Sequence, residues 1–299
     1  MNRLNLASSF LLSALGFALC AGAADTVTVN PSITHQTFVG WEAVSQSGQD
    51  DSPFFNTYKD TLFDQAVNDL GINRLRLEVK SPSVGANFDL VSLDNDIDRV
   101  VVPIRQRLIA RGEALWVNAC VVGSELANDP TKYGQQVLAT YQHMQSKYGF
   151  IPDSWEVALE PDVFGWNSAV KVANALVAAG NQLKNNGFAT YFVAPSNGGG
   201  AVNALSYFDQ IIQVSGVSQF LKEFSYHRYD TVNDTHLQQI TSRALQYNVN
   251  TAMLEHISSG HTDLHADLTK GRNSAWEQFA LAYPNPDSGG KYYWIGSGG

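Results

Sequence analysis

The sequence predicts an α/β fold, a (β/α)8 barrel of the TIM type, and three observations predict it. Strand-like and helix-like segments alternate from one end of the chain to the other. Eight strand-like segments can be found, with seven helical ones between them. The 299 residues exceed the ~250 that such a barrel typically needs. A doubly wound open sheet is the alternative, but no GxGxxG follows the first strand-like segment.

The elements follow in order. TFVGWEAV (37–44) is the first strand, and Asp51-Ser52-Pro53 opens a helix whose apolar positions are Leu62, Phe63, Ala66, Val67 and Leu70. INRLRLEV (72–79) is the second strand. A helix over about 94–111 carries Pro103, which predicts a kink or a two-part helix. ALWVNACVV (114–122) is the third strand, and Asp129-Pro130 starts the next helix, which Gly149 follows. SWEVALE (154–160) is the fourth strand, with a helix over 168–186 behind it. ATYFVAPS (189–196) is the fifth, followed by a helix over 199–213, with Gly198-Gly199-Gly200 read as a flexible turn. KEFSYHRY (222–229) is the sixth strand, and a helix starts at Asp234. NTAMLEH (250–256) is the seventh strand, and a helix is expected over about 268–283. KYYWIG (291–296) is read as the eighth strand. A complete barrel would add an eighth helix, so the expectation is a barrel truncated at its C-terminus, just after strand eight.

Met1-Asn2-Arg3 is a short cationic start, and Ser8–Cys20 is apolar but too short to span a bilayer as a normal helix. Ala21-Gly22-Ala23 resembles a cleavage site. Residues 1–23 are therefore expected to be a signal peptide and 24–299 the catalytic barrel, in a secreted or periplasmic monomer with no membrane span. Cleavage would leave Cys120 as the one cysteine, without a disulfide partner and inside an apolar run, where a buried thiol is expected. The formal net charge of -9 disfavours nucleic acid as a partner.

In a barrel of this kind the active site lies at the C-terminal ends of the strands. Glu160 closes the fourth predicted strand and Glu255 the seventh. Strands three units apart in a ring of eight face each other across its mouth, so two carboxylates can flank one bound group. Glycoside hydrolysis needs such a pair, one carboxylic acid protonating the leaving oxygen and one carboxylate attacking or activating water. Glu42 and Glu78 also lie near strand ends and read as structural or substrate-contacting. Trp41, Trp166 and Trp294 are candidate stacking platforms for sugar rings, since ring faces suit the apolar faces of sugars; Trp116 and Trp155 read as core. His261 and His265 have the i, i+4 spacing of helical metal ligands, but HExxH is absent and the first strand has no HxH. No metal and no cofactor are expected, and the stretch 256–265 reads as a polar loop.

ALEPD, SYHRYD, AMLEHIS and YYWIG, in that order, resemble the strand-end motifs of clan A retaining glycoside hydrolases, near families 30 and 39. RLRLE resembles their arginine strand, and HQTFVGWEAV the opening strand of family 30-type enzymes. The resemblance runs from about Thr34 to Gly296. It implies Glu160 as acid/base and Glu255 as nucleophile. It further implies Arg76 and Tyr229 as partners of that nucleophile, His227 lining the sugar site, and Trp294 as the floor under the reacting sugar. It also implies a β-sandwich beside the barrel, with 26–29 as one strand. The chain departs from the pattern at Leu159, where the clan carries an asparagine that contacts the sugar 2-hydroxyl. Asn118 and Asn197 are the candidate substitutes. The expected function is thus a secreted retaining hydrolase of β-linked glycans, acting on a carbohydrate substrate. A non-catalytic carbohydrate-binding barrel is the alternative that Leu159 motivates, and a metal-dependent hydrolase is a third.

Overall fold

The computed structural model describes residues 28–80, 88–283 and 290–296. The expected signal peptide and residues 26–27 of the expected 26–29 strand lie outside these residues, and 28–29 carry no strand. Residues up to His35 form a separate unit from Gln36 onward; its described part holds a turn closed by Ile33 N donating to Asn30 O at 3.2 Å.

From Gln36 the chain alternates strand and helix. The order is β1 (Gly40–Val44), α1 (Phe55–Asn68), β2 (Ile72–Lys80), α2 (Leu90–Asp96) and α3 (Val102–Ala110), then β3 (Trp116–Val122), α4 (Pro130–Tyr148) and β4 (Ser154–Glu156). It continues with α5 (Ala169–Asn185), β5 (Phe192–Asn197), α6 (Gly200–Ile211), α7 (Val217–Phe220) and β6 (Leu221–His227). Then come α8 (Asp234–Tyr247), β7 (Asn250–Glu255), α9 (His261–Thr269), β8 (Ala275–Tyr283) and β9 (Lys291–Trp294). All the strand pairings are parallel, β1 to β8 lie in chain order, and β8 pairs back with β1, which closes the barrel. No helix among the described residues is long and apolar enough to cross a membrane.

The helix boundaries follow from capping chemistry. Asp129 accepts from Lys132 N at 2.9 Å at the head of α4, with Pro130 at the first helical position, and Gly149 ends the helix at φ 73°. Asn233 caps α8 in the same way, through His236 N at 3.0 Å. The interruption expected at Pro103 is real. A π-helical turn (Ile97–Val101) joins α2 to α3, and Pro103 sits in the first turn of α3, directly after it.

The last two units differ from the expectation. The stretch expected as a helix to Tyr283 splits into the end of α9 and the whole of β8, so AWEQFALAY is the eighth barrel strand. Its inner and outer faces are both buried, which erases the polar alternation that marks a strand and leaves an apolar run that also fits a helix. KYYW is a ninth strand laid against the end of β8, with Ala280 opposite Lys291 and Tyr283 opposite Trp294. The chain therefore continues past its eighth barrel strand. The polar loop expected at 256–265 gives way to α9 from His261 onward, with His261 and His265 exposed on it.

The apolar core lies between the strands and the helices around them. Inside the barrel the apolar contribution is small, a cluster of Val193, Ala252, Leu254 and Ala275. The rest of the interior is polar and largely charged.

Candidate active site

A barrel of this kind ordinarily fills its interior with branched apolar side chains. Here Glu42, Arg74, Arg76, Asn118, Glu156, Glu223, His227 and Glu277 are all fully buried. They organise around two arginines on β2. Arg74, the lower, meets Glu42 at 2.5 Å and donates to both oxygens of Glu223, at 3.1 and 2.7 Å. Asn118 ties this layer together, donating to Glu42 at 3.0 Å and Glu156 at 3.2 Å while accepting from Ser154 Oγ at 2.8 Å. Asn118 is thus committed to the barrel interior, with its amide already spent on protein. Burial pushes the Glu42 carboxyl up to about 7 against the pull of Arg74.

Arg76, one pleat nearer the mouth, donates to Glu255 Oε2 and to Leu254 O, the latter at 2.9 Å. Tyr229 donates to the other Glu255 oxygen at 2.7 Å. Burial alone would raise the Glu255 carboxyl. Arg76, His227 and the two hydrogen bonds outweigh it, and the group ends below the usual carboxylate range. Glu255 is therefore held ionised. Glu78, on the same strand as Arg76, accepts from Gln46 at 3.1 Å.

Glu160 arrives from the other side. Beyond β4 the chain stays laddered, with Leu159 N donating to Val121 O at 2.9 Å and Glu160 N to Ser196 O at 3.1 Å. Glu160 then takes φ 41°, a left-handed backbone that costs a non-glycine residue about 1–3 kcal/mol and recurs at functional sites. Val163 N and Phe164 N, each at 2.9 Å from its carbonyl, hold that turn. Asp162 anchors it to the start of α6 by accepting from Gly198 N (3.0 Å), Gly199 N (2.9 Å) and Asn203 Nδ2 (2.8 Å). The glycine triplet is thus a docking surface for the Glu160 turn rather than a flexible turn.

His227 Nδ1 lies 2.8 Å from Glu160 Oε1. The β6–β7 register shifts between Tyr226 and His227, a bulge that re-aims the side chains at the strand end. Arg228 pins this end, donating to Asp267 at 2.6 Å and Asp263 at 2.8 Å on α9. One oxygen each of Glu160 and Glu255 and a ring nitrogen of His227 all lie within 4.8 Å of one another. Both oxygens of Glu255 are already engaged by an arginine and a phenol, and His227 bonds to Glu160 alone, so the trio reads as an acid pair with the imidazole on Glu160. Glu160 and Glu255 are 7% and 6% exposed.

The structure thus brings Glu160, Glu255, Arg76, His227 and Tyr229 to one rim. It separates the tryptophans from them. Trp41 pairs with Ile72 at the start of β2, against Phe38 and Trp276, at the end of the barrel away from the mouth. Trp166 is fully buried, donates to Gly123 O at 2.9 Å and packs edge-on to Tyr133. Trp294 lies on β9, 66% exposed, beside a groove of ≈ 270 Å³ shared with Thr57, Tyr58 and Gln65 of α1. All three were expected near the sugar, and none reaches the rim. Asn197, at the end of β5, is fully buried, and neither of its amide atoms has a protein partner.

Glu156, Glu223 and Glu277 are interior residues that the strand-end reading missed. Their signal was a charge inside each of three predicted strands or apolar runs, which ordinarily marks a solvent face.

No protein-family model matches the chain, and no curated protein does. Solved structures do. The catalytic domain of a GH30 xylanase C from Talaromyces cellulolyticus superposes with a TM-score of 0.64 at 15% identity, over 91% of this chain and 74% of that one. The structure of XacCel5A gives 0.60 at 14%, over 89% and 95%. Two fungal β-1,4-galactanases are represented at 0.53 and 14%, over 77% and 87%. At these identities the likeness establishes the shared barrel.

Proposed function

We propose that the chain is a retaining glycoside hydrolase that cleaves β-linked bonds of a poly- or oligosaccharide by double displacement. The observation that carries this is the Glu160–Glu255 pair, with oxygens within 4.8 Å across the barrel mouth. Retaining pairs are ~5–5.5 Å apart, and inverting pairs are wider to admit a water. The two environments also differ. Glu255, held ionised by Arg76 and Tyr229, suits a nucleophile, and Glu160, facing an imidazole, suits a proton donor and acceptor.

In the first half-reaction Glu255 attacks the anomeric carbon while Glu160 protonates the leaving oxygen. In the second, Glu160 takes a proton from water, which displaces Glu255 from the sugar. The 2.8 Å contact to His227 serves both states. A protonated Glu160 donates to Nδ1, and an ionised one accepts from it. Leu159 supplies no amide to the sugar 2-hydroxyl; Asn197, unpaired on the adjacent strand, is the unspent amide for that role. The xylanase and galactanase titles of the fold neighbours accord with a β-linked glycan as substrate. An export signal over 1–23 would place the enzyme outside the cytoplasm.

The test is a glycan panel with product anomers followed by NMR. Release of the β-anomer first, lost in both Glu160→Gln and Glu255→Gln with the fold intact, is the expected outcome. Turnover that survives either substitution, or inversion at the anomeric carbon, overturns the reading.

A further inference from the structure

Glu277 on β8 stands beside Arg76, which also holds Glu255. Its Oε1 is 3.4 Å from Arg76 Nη1, the side chain is fully buried, and neither oxygen accepts a hydrogen bond. One guanidinium therefore faces two carboxyl groups. The other buried guanidinium, Arg74, is spent on Glu42 and Glu223. The remaining groups around Glu277 offer it no positive charge. They are Glu42 opposite it on β1, Glu156 on β4, Glu255 on β7 and the Tyr292 phenol.

A buried carboxylate without a partner is expensive, and one cation satisfies one anion. Glu255 has the stronger claim, since Arg76 and Tyr229 both donate to it. Glu277 has no donor, and burial among carboxyl groups pushes it well above the usual range.

We infer that Glu277 is the reserve counter-charge of Arg76, neutral while Glu255 is a carboxylate and ionised whenever Glu255 is neutral. This rests on the double-displacement reading for its place in the cycle. On glycosylation, the Glu255 oxygen bonds to the anomeric carbon. The bond to the leaving oxygen breaks, and Glu160 gives that oxygen its proton. Arg76 has then lost its anion. Glu277 releases its proton to water and takes over the pairing. When water cleaves the ester, Glu255 regains its charge, and Glu277 takes a proton back. The barrel interior thus keeps one negative charge on Arg76 throughout, and the glycosyl-enzyme does not leave a buried guanidinium unpaired.

Glu255→Gln mimics the neutral state without substrate, so the exchange can be read on the resting protein. Native capillary electrophoresis at pH 7 compares the wild type with E255Q, E277Q and the double variant. E255Q is expected to co-migrate with the wild type, because the charge removed at 255 reappears at 277. E277Q is also expected to co-migrate, and the double variant to move by one positive charge. An E255Q protein shifted by one positive charge overturns the inference. So does a double variant that still co-migrates, since another group has then taken the charge. Where E277Q does not fold, infrared spectra of ¹³C-glutamate-labelled wild type and E255Q decide. The protonated-carboxyl band must weaken in E255Q, and an unchanged band overturns the inference. A wild type that hydrolyses no glycan would sink the glycosidase reading and leave this charge exchange to be judged on mobility alone.

Discussion

Gly198 and Glu160 pack so closely that a Cβ on residue 198 would lie 2.5 Å from the Glu160 carboxyl carbon. Real Cβ atoms do not approach that near, so any side chain at 198 must push the carboxyl group aside. A displacement of about 1 Å in a catalytic group can cost on the order of 100-fold in rate. Gly198→Ala is therefore expected to lower kcat/KM by about that factor on natural glycosides. In kcat/KM, which stops at the first half-reaction, aryl glycosides whose leaving group needs no proton should be far less affected. Equal losses on both substrates would separate Gly198 from the acid role of Glu160.

Tyr229 supplies one of the two hydrogen bonds that hold Glu255 ionised. Tyr229→Phe removes a donor to the charged form, so the Glu255 pKa rises. At a given acidic pH less of the enzyme then carries a nucleophile. The acid limb of the kcat/KM profile should move up by about one pH unit, while the alkaline limb stays in place. An acid limb that does not move would detach Tyr229 from the nucleophile.

These rim residues were legible in the sequence because strand period and punctuation place the strand ends. Glu160 falls where an apolar run meets a proline, and Glu255 where NTAMLE meets a polar stretch. The interior charges were not legible. Arg74, Arg76 and Glu223 alternate with apolar residues as solvent-facing positions do, and only closure of the sheet turns that face inward. The eighth strand was lost for the converse reason, since burial of both its faces removed the alternation. Tryptophan type alone did not locate Trp41, Trp166 or Trp294, because the same ring serves a core and a sugar platform equally well.

The interior carboxyl groups give stability a pH dependence of definite sign. Glu42 rises from an ordinary 4.5 to about 7, so between those values the folded state binds more protons than the unfolded one. Its contribution is present in full below pH 4.5 and is lost as pH rises through about 7. Asp267, raised to about 6 by burial, acts in the same direction. Glu255, which is depressed, acts oppositely and only at lower pH. The melting temperature should therefore fall between pH 5 and 8. Glu42→Gln should flatten that fall, by on the order of 2–3 kcal/mol across the interval. A melting curve equally steep in the variant would mean that Glu42 stays ionised against Arg74.

Trp166 and Trp294 separate core from surface within one residue type. Trp166 is fully buried, with its indole N–H on Gly123 O, in the segment that leads from the Glu160 turn to α5. Trp166→Ala leaves a large cavity and an unpaired carbonyl, and should destabilise the fold by about 3–5 kcal/mol. Because the substitution loosens the support of the Glu160 turn, kcat should fall with it. Trp294 is 66% exposed, with Lys291 stacked 5.0 Å over its ring. Losing that contact should cost no more than about 1 kcal/mol, and Trp294→Ala should leave both KM and kcat unchanged on small glycosides. Thermal melts and initial rates on the two variants check both halves. A Trp294 variant with a raised KM would return that residue to the substrate path, from which its position on β9 removes it.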